Sequence, residues 1–327
     1  MRWSVNESRV IVCLTMFLLV SAVPARAEEH DGSSKRFSLW VDAYRGEPLR
    51  YEEVLDELAT ARVIYLGERH TIQRHHRLQS RIVGDLAERG LPLLLGIEQM
   101  EALYQEALDR YCRREIDFDQ LAEQTHWADR WSGYEVYREV LETARNAGVP
   151  ILALNARAET IRQVARSGGL RGLDAQLRAE LPDDVWLDDP AYENLLKLMM
   201  PVHVAATPER LRPMIEAQMC RDEAMAATLC RALSSAELRD HKAIVLCGAG
   251  HVSYGFGIPD RVRRRLPEVK DRIVLLSASG DVTLTERQKA VSRPVKITHD
   301  QLRQIGRPPA DYLYVTSLKS ASDKEVK

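Results

Sequence analysis

Short apolar runs that stop abruptly at a glycine or a polar residue restrict the fold of this chain more than any other feature. Arg62–Leu66 carries Val63, Ile64, Tyr65 and Leu66 without interruption and stops at Gly67. Leu91–Ile97 stops at Glu98, Ile151–Leu154 at Asn155, Ala243–Cys247 at Gly248, and Ile273–Ser277 is a fifth run. Longer stretches with helical spacing separate them. Ile72, Leu78, Ile82, Val83 and Leu86 fall on one side of a segment ending near Arg89, and Met100–Arg114 also reads as helix. Continuous apolar strands need cover on both faces, and parallel neighbours need a crossover, usually a helix. The pattern predicts an α/β fold with a mainly parallel central sheet flanked by helices. Tyr312–Thr316 is expected as a last strand on one edge.

The stretch from about 156 to 242 is longer than a crossover helix requires. Its helical segments, Ile161–Ser167, Tyr192–Met200 and Leu211–Leu233, are broken at Pro182, Pro190, Pro201 and Pro208. It is expected to form a helical lid over one end of the sheet. The main α/β domain then occupies 46–280, after a flexible leader at 28–45 and before a C-terminal tail at 281–327 that holds the edge strand. At the start, Arg2 and Arg9 precede the apolar stretch Val10–Val23, and Ala25-Arg26-Ala27 offers the small residues a signal peptidase reads. An apolar stretch of about 14 residues is short of the roughly 20 that span a bilayer. Residues 1–27 are therefore expected to be a cleaved signal peptide. Cys13 lies too far ahead of the cleavage point to carry a lipid, so a periplasmic or secreted product follows.

Basic and acidic residues number 46 and 48, for a formal charge of −2. Loss of Arg2, Arg9, Arg26 and Glu7 with the signal peptide makes the chain slightly more acidic. Neither nucleic acid nor an anionic membrane is an expected partner. Cys112, Cys220, Cys230 and Cys247 show no dense framework and no CxxC spacing, which points to buried free thiols. Cys220 and Cys230 share one predicted helix, about 15 Å apart, too far for a mutual bridge.

Three strand ends carry chemistry. Gly67-Glu68-Arg69-His70 follows the first run, Glu98 the second, and Gly248-Ala249-Gly250-His251 the fourth. Loops at the carboxyl ends of strands form the ligand crevice of an open α/β sheet. Glu68, His70, Glu98 and His251 are therefore expected to converge on one cleft. A lone histidine at a strand end is more often a hydrogen-bonded structural group, but three ends agreeing favour a functional site. His75 and His76 follow on the next helix, where a solvated helix start and a ligand role are both open. Trp127, Trp131, Tyr134 and Tyr137 read as core, with a wall for a flat aromatic ligand as the alternative. Glu216, Gln218, Asp222 and Glu223 read as the solvated face of a lid helix. His203, beside Met199 and Met200, is placed near a lid hinge, and Tyr254 with Gly255-Phe256-Gly257 on the cleft floor.

Together, GERH at 67–70, His75-His76, Gly96-Ile97-Glu98, Trp131 with Tyr134 and Tyr137, Ala153-Leu154-Asn155-Ala156, and GAGH at 248–251 with Tyr254-Gly255-Phe256-Gly257-Ile258-Pro259 resemble the ChaN family. That family is the haem-binding-uptake branch of the Tiki/TraB/erythromycin-esterase superfamily. The resemblance runs in order over about Tyr51–Leu275. It implies an α/β fold with a helical insertion and an exported protein linked to haem binding and iron acquisition. Many members are lipoproteins, and this chain departs there, lacking a usable lipobox cysteine. Tiki-like relatives are metal-dependent proteases, and esterase-like relatives are hydrolases with a histidine base and no metal, so the scaffold alone leaves the chemistry open.

Two readings follow. In the first, haem lies in the cleft beneath the lid, with an axial ligand from His75, His76, Tyr137 or Tyr254, and passes to a membrane iron or haem transporter. In the second, His70 and His251 with Glu68 or Glu98 hold a divalent metal ion, and Glu68 or Glu98 serves a hydrolase or protease as general base. A metal-free form of that second reading uses His70 or His251 as base, oriented by a glutamate. A homodimer is a further expectation.

Overall fold

The structure is a computed structural model and describes residues 38–199, 208–279 and 305–317. The expected signal peptide, the leader before Ser38, Met200, His203 and the tail segments 281–304 and 318–327 lie outside the described residues. Eight strands form one sheet: β1 (Ser38–Asp42), β2 (Glu47–Leu49), β3 (Val63–Glu68), β4 (Leu93–Glu101), β5 (Ile151–Asn155), β6 (Lys242–Gly248), β7 (Asp271–Ser279) and β8 (Tyr312–Ser317). Their order is β2-β1-β8-β7-β3-β6-β4-β5. Neighbours from β8 to β5 run parallel, and β1 is antiparallel to both β8 and β2. The mainly parallel α/β sheet is thus as expected.

Along each buried strand, alternate residues serve opposite faces. Ile64, Leu66, Leu95, Ile97, Ile244 and Leu246 join one core cluster. Helices α1 (Tyr51–Thr60), α2 (Gln73–Glu88), α3 (Gln105–Cys112), α4 (Phe118–Gln124), α5 (Trp127–Arg130) and α6 (Arg138–Asn146) bring residues to this cluster. Val63, Tyr65, Leu94, Val245 and Cys247 join the other cluster. The insertion supplies α7 (Ala158–Arg166), α8 (Ala175–Arg178), α9 (Pro190–Met199) and α10 (Pro208–Ser234), and α11 (Ile258–Arg265) follows β6. Met225, Ala226, Leu229 and Leu233 of α10 pack on the second sheet face together with Ile258 and Val262 of α11. Only the earlier part of α10, where Ile215 and Met219 meet Tyr192 and Leu195 of α9, lies away from that face. The insertion therefore contributes to the core on that face as well as covering the strand ends.

Three expectations are corrected. Ser38–Asp42, inside the stretch expected as a flexible leader, is a strand. Trp40 anchors it, 6% exposed, with its ring 4.8 Å from Tyr314 and 6.0 Å from Tyr51. In consequence β8 is not an edge strand, because β1 covers its outer side. Finally, β4 continues past Glu98 to Glu101, a 3-10 turn follows at Ala102–Tyr104, and the α-helix begins at Gln105. Of the extra strand residues Met100 joins the core, while Gln99 and Glu101 are polar yet buried, and both have a partner. Gln99 reaches Glu68, and Glu101 takes Arg130 at 2.7 Å. Cys112, Cys220, Cys230 and Cys247 are free, the last three buried.

A buried ion cluster fastens α10 to α11. Arg261 is fully buried, with Nε 3.3 Å from Glu223 and Nη1 3.6 Å from Asp189. Glu223, also fully buried, takes Arg264 at 2.8 Å and Arg265 at 2.7 Å through its other oxygen. Removing one member of such a cluster strands a charge away from water. Glu223→Ala is expected to cost about 3–5 kcal/mol of unfolding free energy, measured by urea denaturation. A loss within the small range of ordinary surface substitutions would mean that the cluster is solvated.

Candidate functional site

The three polar strand ends meet because β6 lies between β3 and β4. Parallel register places Glu68 opposite Gly248 and Ile97 opposite Leu246. Close packing there requires glycine. A Cβ on Gly67 would stand 2.7 Å from both Leu275 Cδ2 and Val252 Cγ2, and one on Gly248 would stand 2.9 Å from His70 Nε2. The four residues singled out in sequence are thus brought together.

Glu68 is 2% exposed, and five donors converge on it. Its Oε1 accepts from His70 Nδ1 at 2.8 Å, from the Tyr137 hydroxyl and from Gln99 Nε2 at 3.3 Å. Its Oε2 accepts from Gln79 Nε2 at 2.6 Å and faces His76 Nδ1 at 3.1 Å. The other His76 nitrogen lies 3.0 Å from the His70 carbonyl. Both ring nitrogens of His76 therefore face oxygen acceptors, so the ring is an imidazolium.

A second group repeats the device. Glu98, 1% exposed, accepts the Gly248 N–H at 2.6 Å through Oε2 and meets His251 Nε2 at 3.1 Å through Oε1. His251 Nδ1 donates to Asp222 Oδ1, and the Tyr192 hydroxyl donates to Asp222 Oδ2 at 2.6 Å. His251 is held between two carboxylates and donates to both. Gln218 Nε2 stands 2.9 Å from His251 Nδ1.

The metal expectation gains no support from this arrangement. An imidazolium has no lone pair to give, so His251 is not a ligand as it stands. Among the described residues no group of three or more His, Cys, Asp or Glu side chains is arranged to hold a metal ion. The site is a lattice of ion pairs. The solvated acidic face expected on α10 is likewise overturned. Asp222 and Glu223 are fully buried and hold His251 and Arg261, while Glu216 caps the Leu170 N–H at 2.9 Å.

His75, His76 and Tyr137 are buried, at 0%, 1% and 1% exposed. His75 Nδ1 accepts the Arg69 N–H at 3.1 Å, and Tyr137 stacks edge-on to His76 with ring centres 4.6 Å apart. His70 is different, its side chain 38% exposed and its ring edge-on to Trp131 at 4.9 Å. Trp127 is core and donates to the Gln99 carbonyl at 2.7 Å. Tyr254 is part-buried with a left-handed backbone (φ 61°), packed beside the Tyr192–Phe256 cluster rather than on Glu68.

Sequence reasoning missed Gln79, Gln99, Tyr192, Gln218 and Asp222 as members of the site. Gln79 is one turn beyond His76, and Asp222 one turn beyond Gln218, so helical spacing held the information. Polar side chains set among the alanines and methionines of α10 were the readable sign.

The family described as haem-binding uptake, Tiki superfamily, ChaN matches residues 54–262. The chain is 25% identical over 268 residues to Protein RETICULATA-RELATED 5, chloroplastic, of Arabidopsis thaliana. That match covers 76% of this chain and 36% of the relative, so the chain spans about a third of the relative's length. Its structure is similar to one described as cofacial haem binding to ChaN of Campylobacter jejuni. The TM-score is 0.63 at 20% identity, covering 86% of this chain and 97% of that one.

Protonation of the lattice follows from its pairing. Burial opposes charge on Glu68 and Glu98, but the histidines outweigh it and lower both carboxyls from 4.5 to about 2. Burial likewise opposes charge on His251, and Glu98 with Asp222 outweigh it, raising the ring from 6.5 to about 10. For His75 burial prevails and lowers the ring to about 3. The depressed carboxyls stabilise the fold above their unfolded values, and this is lost as pH falls from about 4.5 towards 2. The raised His251 stabilises it below 6.5, and this is lost as pH rises towards 10. The depressed His75 penalises the fold below 6.5, where only the unfolded chain gains the proton. The melting temperature is therefore expected to peak near pH 6.5 and fall on both sides. Calorimetry from pH 4 to 10 checks this, and His251→Asn is expected to flatten the alkaline fall. An alkaline side unchanged in that variant contradicts the assignment.

Proposed function

Because the chain belongs to the haem-binding-uptake family ChaN of the Tiki superfamily, we propose that it binds haem at the strand ends where Glu68, His70, Glu98 and His251 meet. Family membership carries this reading, and the donor chemistry of the site fits it. An axial ligand needs an electron pair that is not already engaged and a path to the surface. His76 and His251 donate through both nitrogens, and the buried Tyr137 hydroxyl is held as a donor to Glu68. His75 has no exposed surface.

His70 and Tyr254 remain. His70 Nδ1 donates to Glu68, which in the neutral ring leaves the lone pair on Nε2. A carboxylate behind an imidazole fixes its tautomer and raises its basicity as a ligand. His70 is the preferred axial residue and Tyr254 the second choice, with Trp131 walling the exposed side of His70. Arg69, exposed beside His70, supplies positive charge for a propionate. Bound haem would supply the iron coordination chemistry, and the chain's part is to hold and shield it. Export through residues 1–27, transfer to a membrane iron or haem transporter, and a homodimeric state belong to the same proposal.

One observation favours a second reading. The Glu68–His70 pair is also the arrangement of a general base oriented by a carboxylate, which suits a metal-free hydrolase. Hemin titration separates the two. The wild type is expected to give a saturable Soret shift, His70→Ala to lose it or weaken it at least about tenfold, and Tyr254→Phe to keep it. A wild type without saturable binding contradicts the haem reading. Retention in His70→Ala with loss in Tyr254→Phe moves the ligand to Tyr254.

A further inference from the structure

One side chain away from His70 lies a cavity of about 190 Å³: Trp131, whose ring meets His70 edge-on at 4.9 Å, is part of its wall. Tyr104, Trp127, Arg130, Arg162 and Arg221 line it as well. Glu101 is the one acidic side chain among the described residues of that wall.

The three guanidiniums are unequally answered. Arg130 Nη1 donates to Glu101 at 2.7 Å and lies 3.8 Å from Glu159, which also takes Arg162. Arg157 approaches Glu159 too, at 3.7 Å, but has a nearer partner in Glu180 at 3.0 Å. Arg221, half-buried on α10, has neither ion pair nor hydrogen bond among the described residues. Two carboxylates therefore answer three guanidiniums, and the surplus charge falls on Arg221. Only its Nε is sealed from solvent, so the terminal nitrogens with their four N–H donors are the open ones.

Aromatic surface takes the place of water around these cations, since Trp127 is 2% exposed and Tyr104 and Trp131 are half-buried. Charges act on one another more strongly in such surroundings than in bulk water. Arg130 lies over the Tyr104 ring at 5.1 Å, which holds its guanidinium in place. Arg162, largely exposed, adds positive charge that draws an anion inward. A guanidinium fork matches a planar carboxylate.

We infer that this cavity receives a carboxylate arm of the ligand held at His70. The identity of the arm, a propionate, rests on the haem reading; the charge of the cavity is independent of it. The volume is that of about six waters and falls below the roughly 300–1,000 Å³ of drug-sized pockets, so an arm enters and a macrocycle does not. Arg221 thereby makes the site select an acidic ligand over a neutral one of the same shape.

Hemin and its dimethyl ester share the iron and the ring and differ in the charge of the arms. The full chain is titrated with each by the Soret band, and the haem-free chain with sodium propionate by the fluorescence of Trp127 and Trp131. Hemin is expected to bind at least about tenfold more tightly than the ester. Arg221→Gln, checked for folding by circular dichroism, is expected to weaken hemin about tenfold and to leave the ester and the Soret maximum unchanged. An ester that binds the wild type as tightly as hemin overturns the proposal, and needs no variant to do so. Equal binding of hemin by folded Arg221→Gln overturns it as well. If neither porphyrin binds, the haem reading fails and propionate decides the cavity. Saturable quenching below about 10 mM that Arg221→Gln abolishes then upholds a carboxylate site, and its absence overturns one.

Discussion

The pairing of His251 with Glu98 on one side and Asp222 on the other is the interaction on which the rest of the structure depends. Glu98 belongs to β4, His251 follows β6, and Asp222 belongs to α10. One imidazolium therefore ties two neighbouring strands to the helical insertion. None of the three charges is tolerable alone at this depth, since a buried charge without a partner costs several kcal/mol. Tyr192 and the Gly248 N–H complete the remaining bonds. The insertion cannot leave the strand ends without exposing or stranding these groups, and α10 continues directly into the core of the second sheet face.

Glu68 performs the same task on the other side, binding α2 through His76 and Gln79 and the aromatic segment through Tyr137. Two histidines that would suit metal or haem by residue type are consumed as cations in this scaffold. What remains available is narrower than the motif suggests. His70 alone among the four strand-end residues has substantial exposure, and it is backed by a carboxylate. The buried lattice is best understood as the support that fixes one imidazole in place.

Much of the fold was legible because buried parallel strands are written as continuous apolar runs, and Val63–Leu66 and Ala243–Cys247 state them plainly. The convergence of Glu68, His70, Glu98 and His251 was legible too, because ligand crevices form at the carboxyl ends of such strands. β1 escaped because its short strand shows little more than Leu39, Trp40 and Val41, and its partner β8 lies some 270 residues away. The extension of β4 escaped because Gln99 and Glu101 look like surface residues until Glu68 and Arg130 are placed beside them. The acidic residues of α10 were misread for a related reason. A carboxylate on an amphipathic helix faces water by default, and only the distant His251 and Arg261 reveal that Asp222 and Glu223 face inward.

The central claim is that the histidines of this lattice are structural cations rather than free ligands. Nitrogen-15 NMR of imidazole-labelled protein near pH 8 tests it most directly. The account predicts that both ring nitrogens of His251 carry protons at that pH, with His251 staying charged until close to 10. A neutral His251 ring at pH 8, with one nitrogen unprotonated, would contradict it.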